Sequence, residues 1–382
     1  MAKFVTPIVL GMSMSLISSL AIAQDTVDTD SFSAKKASMI SSFSESKQAS
    51  IDAFENSKAE YLAKFNQVKQ ELSKKWDNPQ LTNKSTWIQY SQNNDIKRSV
   101  NFETGEITVE VVGNNLTEKE INTVVQKQLN ELKSETTSDA YNKDPVLAGT
   151  KPSKLTAKEK VLPDVNVNEL ASTAKKSSFK QNNGLQLTKV SMSYPADRIA
   201  KKAMIYMPTV LKNASKWDVD PDLILAIMHT ESHFNPMAQS HIPAYGLMQV
   251  VPTSAGRDVT KRYLGKEKLL PAEVLFKPDF NIDIGTAYLN VLQAHYLRKV
   301  KDPTIRTYLA ISAYNGGIGA VAKHFTGKGS LSRLADKVNT LQPDDVYQSI
   351  TNDFPYKETR NYLKKVHTKQ TYYKTLLQAS VI

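Results

Sequence analysis

Between residues 31 and 76 the apolar positions Ile40, Phe43, Ile51, Phe54, Leu62, Phe65, Val68 and Leu72 recur at mixed three- and four-residue steps, with neither proline nor glycine in the stretch. That spacing predicts a long amphipathic helix, continuous or broken once, that packs on the body of the protein. The period then changes to two. Ile88 and Tyr90, Val100 and Phe102, and Ile107, Val109 and Val111 alternate with polar residues, and Glu103-Thr104-Gly105-Glu106 separates the last two runs. Alternation on both sides of a glycine-containing turn predicts a β-hairpin. Thr117-Glu118-Lys119-Glu120 has the form of a capping box, and Val124, Val125, Leu129 and Leu132 give the following helix an apolar face. Residues 134–163 are polar and carry Pro145, Pro152 and Pro163, the composition of a surface loop or mobile insertion. A short helix is expected over 167–174. Leu185, Leu187, Val190, Met192 and Tyr194 alternate with a slip near Thr188, which predicts a bulged strand.

After Pro195 the strand period disappears, and helical patterns follow one another to the C-terminus. The expected organisation is therefore α+β at residues 24–194, a small antiparallel sheet with helices and a long leading helix. An all-α domain follows at 195–382. Residues 1–23 stand apart: Lys3 precedes an apolar run from Pro7 to Ile22, and Ala21-Ile22-Ala23 before Gln24 has the small-x-small form of a signal-peptidase site. No later segment is apolar enough over a sufficient length to span a bilayer.

Composition narrows the picture. Forty per cent of residues are hydrophobic and 23% charged, enough for an ordinary core. None of the 382 residues is cysteine, so no disulfide is expected, and no lipid can be joined through a cysteine near the cleavage site. The net charge of +11 comes from dispersed lysines. An exported protein rarely meets nucleic acid, so an acidic wall polymer or an anionic lipid surface is the expected counterpart. The mature protein is expected to be soluble, either periplasmic or exported.

The chemistry concentrates after Asp220-Pro221-Asp222, a helix start with aspartate as cap and proline at the first helical position. Leu223, Ile227 and Glu231 then fall at i, i+4 and i+8, and Pro236 disfavours helix at Asn235. Glu231 is placed on an apolar stripe in the last turn, where desolvation and the negative end of the helix dipole favour its protonated form. An acid held protonated near neutral pH can donate to a glycosidic oxygen; a glutamate paired with lysine or arginine at a helix end would look the same. His229 and His233, four apart, suggest a metal-binding helix, but the zinc-peptidase pattern needs glutamate directly after the first histidine, and Thr230 stands there. They are expected to be polar surface or groove residues. Neither metal nor cofactor is expected.

Two further strings follow, Gly246-Leu247-Met248-Gln249 and Ala313-Tyr314-Asn315-Gly316-Gly317. With Glu231-Ser232, and in this order, they closely resemble the marks of the lysozyme-like lytic transglycosylases. The likeness covers most of residues 86–370 and reaches into the first domain at 100–108. It implies a lysozyme-like catalytic domain acting on the glycan strands of peptidoglycan. The β-1,4 bond between N-acetylmuramic acid and N-acetylglucosamine would be cut without water, with Glu231 serving as acid and then as base. By the same resemblance Ser240, Gln249 and Asn315 contact or position the substrate. Met248 and Tyr314 line the groove, Tyr314 within reach of Glu231, and Tyr362 faces the same site. Close relatives in that family carry a lipid on an N-terminal cysteine; here Ala23-Gln24 stands without one. A goose-type lysozyme-like hydrolase and a catalytically dead wall-binding protein are the alternatives.

Overall fold

The computed structural model describes residues 58–147, 160–162, 166–194, 198–240 and 244–379, together with a few positions between 49 and 56. The leader at 1–23 and the first half of the leading helix lie outside the described residues. Within them, helix α1 (58–72) ends at Leu72 rather than at Trp76. The chain turns there, and the Trp76 indole donates to the Asn94 carbonyl at 2.8 Å.

Five strands follow, β1 (Thr86–Tyr90), β2 (Ile96–Asn101), β3 (Glu106–Val112), β4 (Lys175–Lys180) and β5 (Gln186–Ser193), in the order β1-β2-β3-β5-β4. Every neighbouring pair is antiparallel. The hairpin read from the sequence is β2–β3. Between β3 and β5 lie α2 (Glu118–Ser134), α3 (Thr137–Lys143) and α4 (Val167–Ser172). Helix α2 begins on the expected box: Thr117 accepts from the Glu120 amide, and the Glu120 carboxylate accepts from the Thr117 amide. Its Ile121, Val125, Leu129 and Leu132 are buried against the sheet.

The structure corrects two expectations and adds a strand that the pattern did not announce. The register of β5 runs without interruption from Leu187 opposite Val112 to Ser193 opposite Glu106, so there is no bulge. The alternation slips because both faces have an apolar cover. Leu187 and Val112 pack with Leu72 and Trp76 beside α1, whereas Val190 and Met192 turn to the other face and join Val109 and the α2 side. Strand β4 gives no apolar signal, since all six of its residues are exposed, and it forms by pairing with β5. The supposed loop after Ser134 begins as helix α3, capped by Thr136, and buries Ala140, Tyr141, Val146 and Leu147. Val161 and Leu162 are buried as well; residues 148–159 and 163–165 are outside the described set.

The second half is helical: α5 (Arg198–Trp217), α6 (Pro221–Ser232), α7 (Arg257–Leu264), α8 (Ala272–Leu275), α9 (Pro278–Asn290), α10 (Pro303–Gly316), α11 (Ile318–Thr326), α12 (Leu331–Val338), α13 (Pro343–Gln348) and α14 (Lys357–Ala379). Helix α6 is almost wholly buried, with Leu223 to Met228 all inaccessible, and α14 lies along it. Helix α5 packs on α9, where Asp283 accepts from Lys216 and from the Trp217 indole, both at 2.7 Å. One apolar core runs through both halves of the molecule. Phe276 makes the join visible, with Tyr141 of α3 on one edge at 5.7 Å and Tyr245 on another at 5.4 Å between ring centroids.

Candidate active site

Helix α6 ends abruptly. Pro221 occupies its first position as expected, but Asp220 makes no side-chain capping bond; its backbone carbonyl accepts from Leu223 and Ile224 instead. At the other end His233 and Phe234 are both left-handed, with φ of 51° and 61°, and the chain reverses directly after Glu231-Ser232. Two successive non-glycine residues in that region carry strain of a kind that persists where the surroundings impose it. Those surroundings are visible. The Ser232 hydroxyl shares its proton between the carbonyls of Met228 at 2.9 Å and Leu247 at 2.8 Å, tying the helix end to the following loop. Lys369 of α14 donates to the His229 carbonyl at 3.2 Å, supplying a positive group at the helix C-terminus. Burial, and Lys365 second, lower the Lys369 ammonium to about 8.

Glu231, 5% exposed, faces the junction of the two halves. Its Oε2 accepts a hydrogen bond from Lys84 Nζ at 3.2 Å, and Lys84 lies in the loop before β1. The attraction of Glu231 is the chief cause raising the Lys84 ammonium above the ordinary lysine range, with burial opposing it. Asn235, fully buried, fixes that loop by donating to the carbonyls of Asn83 and Lys84, each at 3.4 Å. Two tyrosines complete the surroundings. Tyr362 of α14 is buried, and the group its hydroxyl meets is the Glu231 carboxylate. Burial first, and the charge of Glu231 second, hold its phenol well above the usual range. Tyr314 of α10 is raised likewise, by burial and then by Glu231.

The predicted residues separate into two groups. Glu231, Tyr362 and Tyr314 come together, but the Tyr314 hydroxyl donates to the Met248 carbonyl at 2.8 Å and not to Glu231. Met248 does not line an open groove. It is fully buried, packed against Gly285, and its amide donates to Asn281 Oδ1 at 2.7 Å. Gln249 is buried and left-handed at φ 48°. Its amide nitrogen donates to the carbonyls of Ala238 at 2.9 Å and Gly246 at 3.1 Å, which fixes the orientation of the amide and leaves Oε1 buried without a partner. Asn315 is engaged with Thr359, whose hydroxyl donates to Asn315 Oδ1 at 2.7 Å. Ser240 is half-buried beside 241–243, which are outside the described residues. It borders a cavity of about 800 Å³ on the α1 side of the sheet, where Tyr61, Phe65, Lys84, Asn101 and Lys189 also stand. Glu231 is not in its wall. The two histidines, expected as polar surface or groove residues, are half-buried. His229 and His233 lie edge to face, 5.5 Å between centroids, and His229 also meets the rings of Phe234 and Tyr373.

Sequence reasoning missed two residues. Lys84 has no local signature, since its partner lies in the other half of the chain. Asn281 is fully buried in α9 and donates to the carbonyls of Tyr245 at 2.7 Å and Leu275 at 2.8 Å while accepting from Met248, so it clamps the Gly246–Gln249 loop. An asparagine among Ile282, Ile284, Ala287 and Leu289 in a buried helix was the available signal. Among the described residues no group of three or more His, Asp or Glu side chains could hold a metal ion. No helix there is long and apolar enough to cross a membrane.

Comparison with known proteins gives this geometry a family context. Residues 208–336 match the Transglycosylase SLT domain, and residues 54–164 match the N-terminal domain of membrane-bound lytic murein transglycosylase C. Membrane-bound lytic murein transglycosylase C of Klebsiella pneumoniae subsp. pneumoniae is 36% identical over 304 residues, covering 77% of this chain and 83% of the relative. The protein of the same name from Actinobacillus pleuropneumoniae serotype 5b is 36% identical over 300 residues, 75% of this chain and 79% of its own. Among solved structures, lytic transglycosylase Slt from Pseudomonas aeruginosa aligns at 28% identity with a TM-score of 0.36, over 46% of this chain. The chain spans about a quarter of that protein, 25% of its length.

Proposed function

The chain belongs to the membrane-bound lytic murein transglycosylase C family, and from that premise we propose that it cuts the N-acetylmuramyl-β-1,4-N-acetylglucosamine bond of peptidoglycan strands without water, leaving 1,6-anhydromuramyl ends. Glu231 acts alone. As an acid it gives its proton to the bridging oxygen while the bond from that oxygen to the muramyl C1 breaks. As a carboxylate it then takes the proton of the muramyl C6 hydroxyl while that oxygen bonds to C1. The proton given up in the first step is recovered in the second.

The observation that carries this reading is the company Glu231 keeps. Hydrolysis by glycosidases generally employs a pair of carboxyl groups across the scissile bond. Among the described residues the groups beside Glu231 are an ammonium and two phenols, and Glu358, whose charge reaches Lys84 and Tyr362, is exposed at the start of α14. Gln249 Oε1 is a buried acceptor without a partner, suited to an acetamido N–H, and its orientation is fixed by two carbonyls. Ser240 and Tyr362 offer hydroxyls to the substrate, and Asn315 supports the end of α10. Tyr314 and Met248 act from behind the loop. Residues 1–23 serve as a cleaved export signal, 24–194 and 195–382 as the two domains, and the +11 charge draws the enzyme to acidic wall or lipid surfaces.

Mass spectrometry of products from purified sacculi tests the reaction. Anhydromuramyl ends are expected, and reducing ends would make the enzyme a hydrolase. Glu231→Gln should abolish cleavage while leaving the melting curve and sacculus binding intact; retained activity would refute the single-acid mechanism.

A further inference from the structure

We propose that Lys84 is the counter-ion by which the first domain sets the proton affinity of Glu231, making it a positioning residue for both proton transfers. The inference rests on the acid/base reading of Glu231 above. Three elements place charged or titratable groups around this carboxyl: α10 brings Tyr314, α14 brings Tyr362, Glu358 and Lys369, and the loop before β1 brings Lys84. The phenols are neutral, Lys369 is bonded to the His229 carbonyl, and Glu358 is exposed. Lys84, at 3.2 Å, is the cation in hydrogen-bond contact among the described residues.

Its mounting is specific. Asn235 holds the carbonyls of residues 83 and 84, and Asn83 Oδ1 accepts from the amides of Ser85 at 3.0 Å and Thr86 at 2.9 Å, locking the turn that leads into β1. The backbone is thus fixed between the two halves, while the Lys84 side chain stays 43% exposed against 6% for Glu231. A half-exposed ammonium can yield to an entering sugar without unfolding anything.

The chemistry gives the pair a purpose. The first transfer leaves Glu231 as a carboxylate and the second consumes it, and a cation in contact favours that stage. Lys84 thus favours release of the proton to the bridging oxygen, the first of the two transfers.

The experiment is a ¹³C NMR titration of the full-length protein labelled at glutamate carboxyls, with the Glu231 signal assigned by its absence in Glu231→Gln. In Lys84→Met the Glu231 titration should move upward, because the cation in contact with the carboxylate at 3.2 Å is gone. Lys84→Arg should hold it near wild type. Lys84→Gln gives a second neutral replacement should the methionine variant fold poorly, and circular dichroism checks both. A Glu231 midpoint unchanged in a folded neutral variant overturns the proposal. That result leaves the acid/base role untouched, because the role depends on the activity of Glu231→Gln and not on this titration.

Discussion

Gly246 sits where the loop that carries Met248 and Gln249 crosses α9, and replacing it by alanine isolates the value of that crossing. Its φ is +74°, so any side chain there meets the left-handed penalty. The surroundings add a second cost: a Cβ at Gly246 would lie 2.5 Å from Asn281 Nδ2 and 2.5 Å from the Leu275 carbonyl oxygen. Neither can retreat easily, since Asn281 is the buried clamp and the carbonyl is backbone. Gly265, exposed at the end of α7, has a similar φ of +65°, and a methyl group at its Cα would meet nothing within 4 Å, so it serves as the control. The left-handed cost is about 1–2 kcal/mol for either variant, and overpacking adds about 1–3 kcal/mol at Gly246 alone. Urea denaturation followed by circular dichroism should therefore show Gly246→Ala less stable than Gly265→Ala by about 1–3 kcal/mol. Glycan cleavage should fall in the first variant, through displacement of Gln249, and stay at the wild-type rate in the second. Equal losses of stability would refute the reasoning, because they would mean that the Asn281 clamp yields without cost.

Two further outcomes follow from the same site and its supporting helices. Tyr314→Phe should lose about 0.5–1.5 kcal/mol of stability with its bond to the Met248 carbonyl, whereas Tyr362→Phe, whose hydroxyl meets Glu231 and not the supporting loop, should show its effect chiefly in turnover. Parallel melting and activity measurements separate the two. Burial lowers His229 to about 3 and His233 to about 4 from 6.5. Because the folded state refuses protons that the unfolded chain accepts below 6.5, the stability these groups contribute is full above that pH and drains away as pH falls toward the folded values. The carboxyls of buried Asp144 and half-buried Asp222 and Asp258 are raised, chiefly by desolvation, and act in the opposite direction, so the comparison must be with a variant. His229→Asn should lose less melting temperature than wild type between pH 7.5 and pH 5, to be checked by scanning calorimetry.

What could be read from the sequence was what local interactions decide. The Thr117 box and the β2–β3 turn need only neighbours a few residues away, and the run from Leu223 to Glu231 announces its own buried stripe. What could not be read was decided by surroundings. Strand β4 exists because β5 offers it an edge, not because Lys175–Lys180 has strand character. The slip at Thr188 looked like a bulge because one apolar cover was assumed where the sheet has two. Asp220 resembles a cap, yet its side chain makes no capping bond. Within the site, the order of the three motifs pointed to Glu231, but Met248 and Tyr314 proved to be the support behind the loop. Their roles depend on Asn281 and on a carbonyl that no motif identifies.

The bond between Lys84 and Glu231 joins residues 147 positions apart, and the one from Tyr61 to Gln239 spans 178. Closing such loops costs entropy that must be met before the contact returns any stabilisation, so contacts of this separation tend to form late in folding. A chain in which only the sheet or only the helical half has formed does not yet possess the paired acid. Assembly of the complete centre is tied to docking of the two halves, which makes the finished fold, rather than helix α6 by itself, the unit that arrives ready to work.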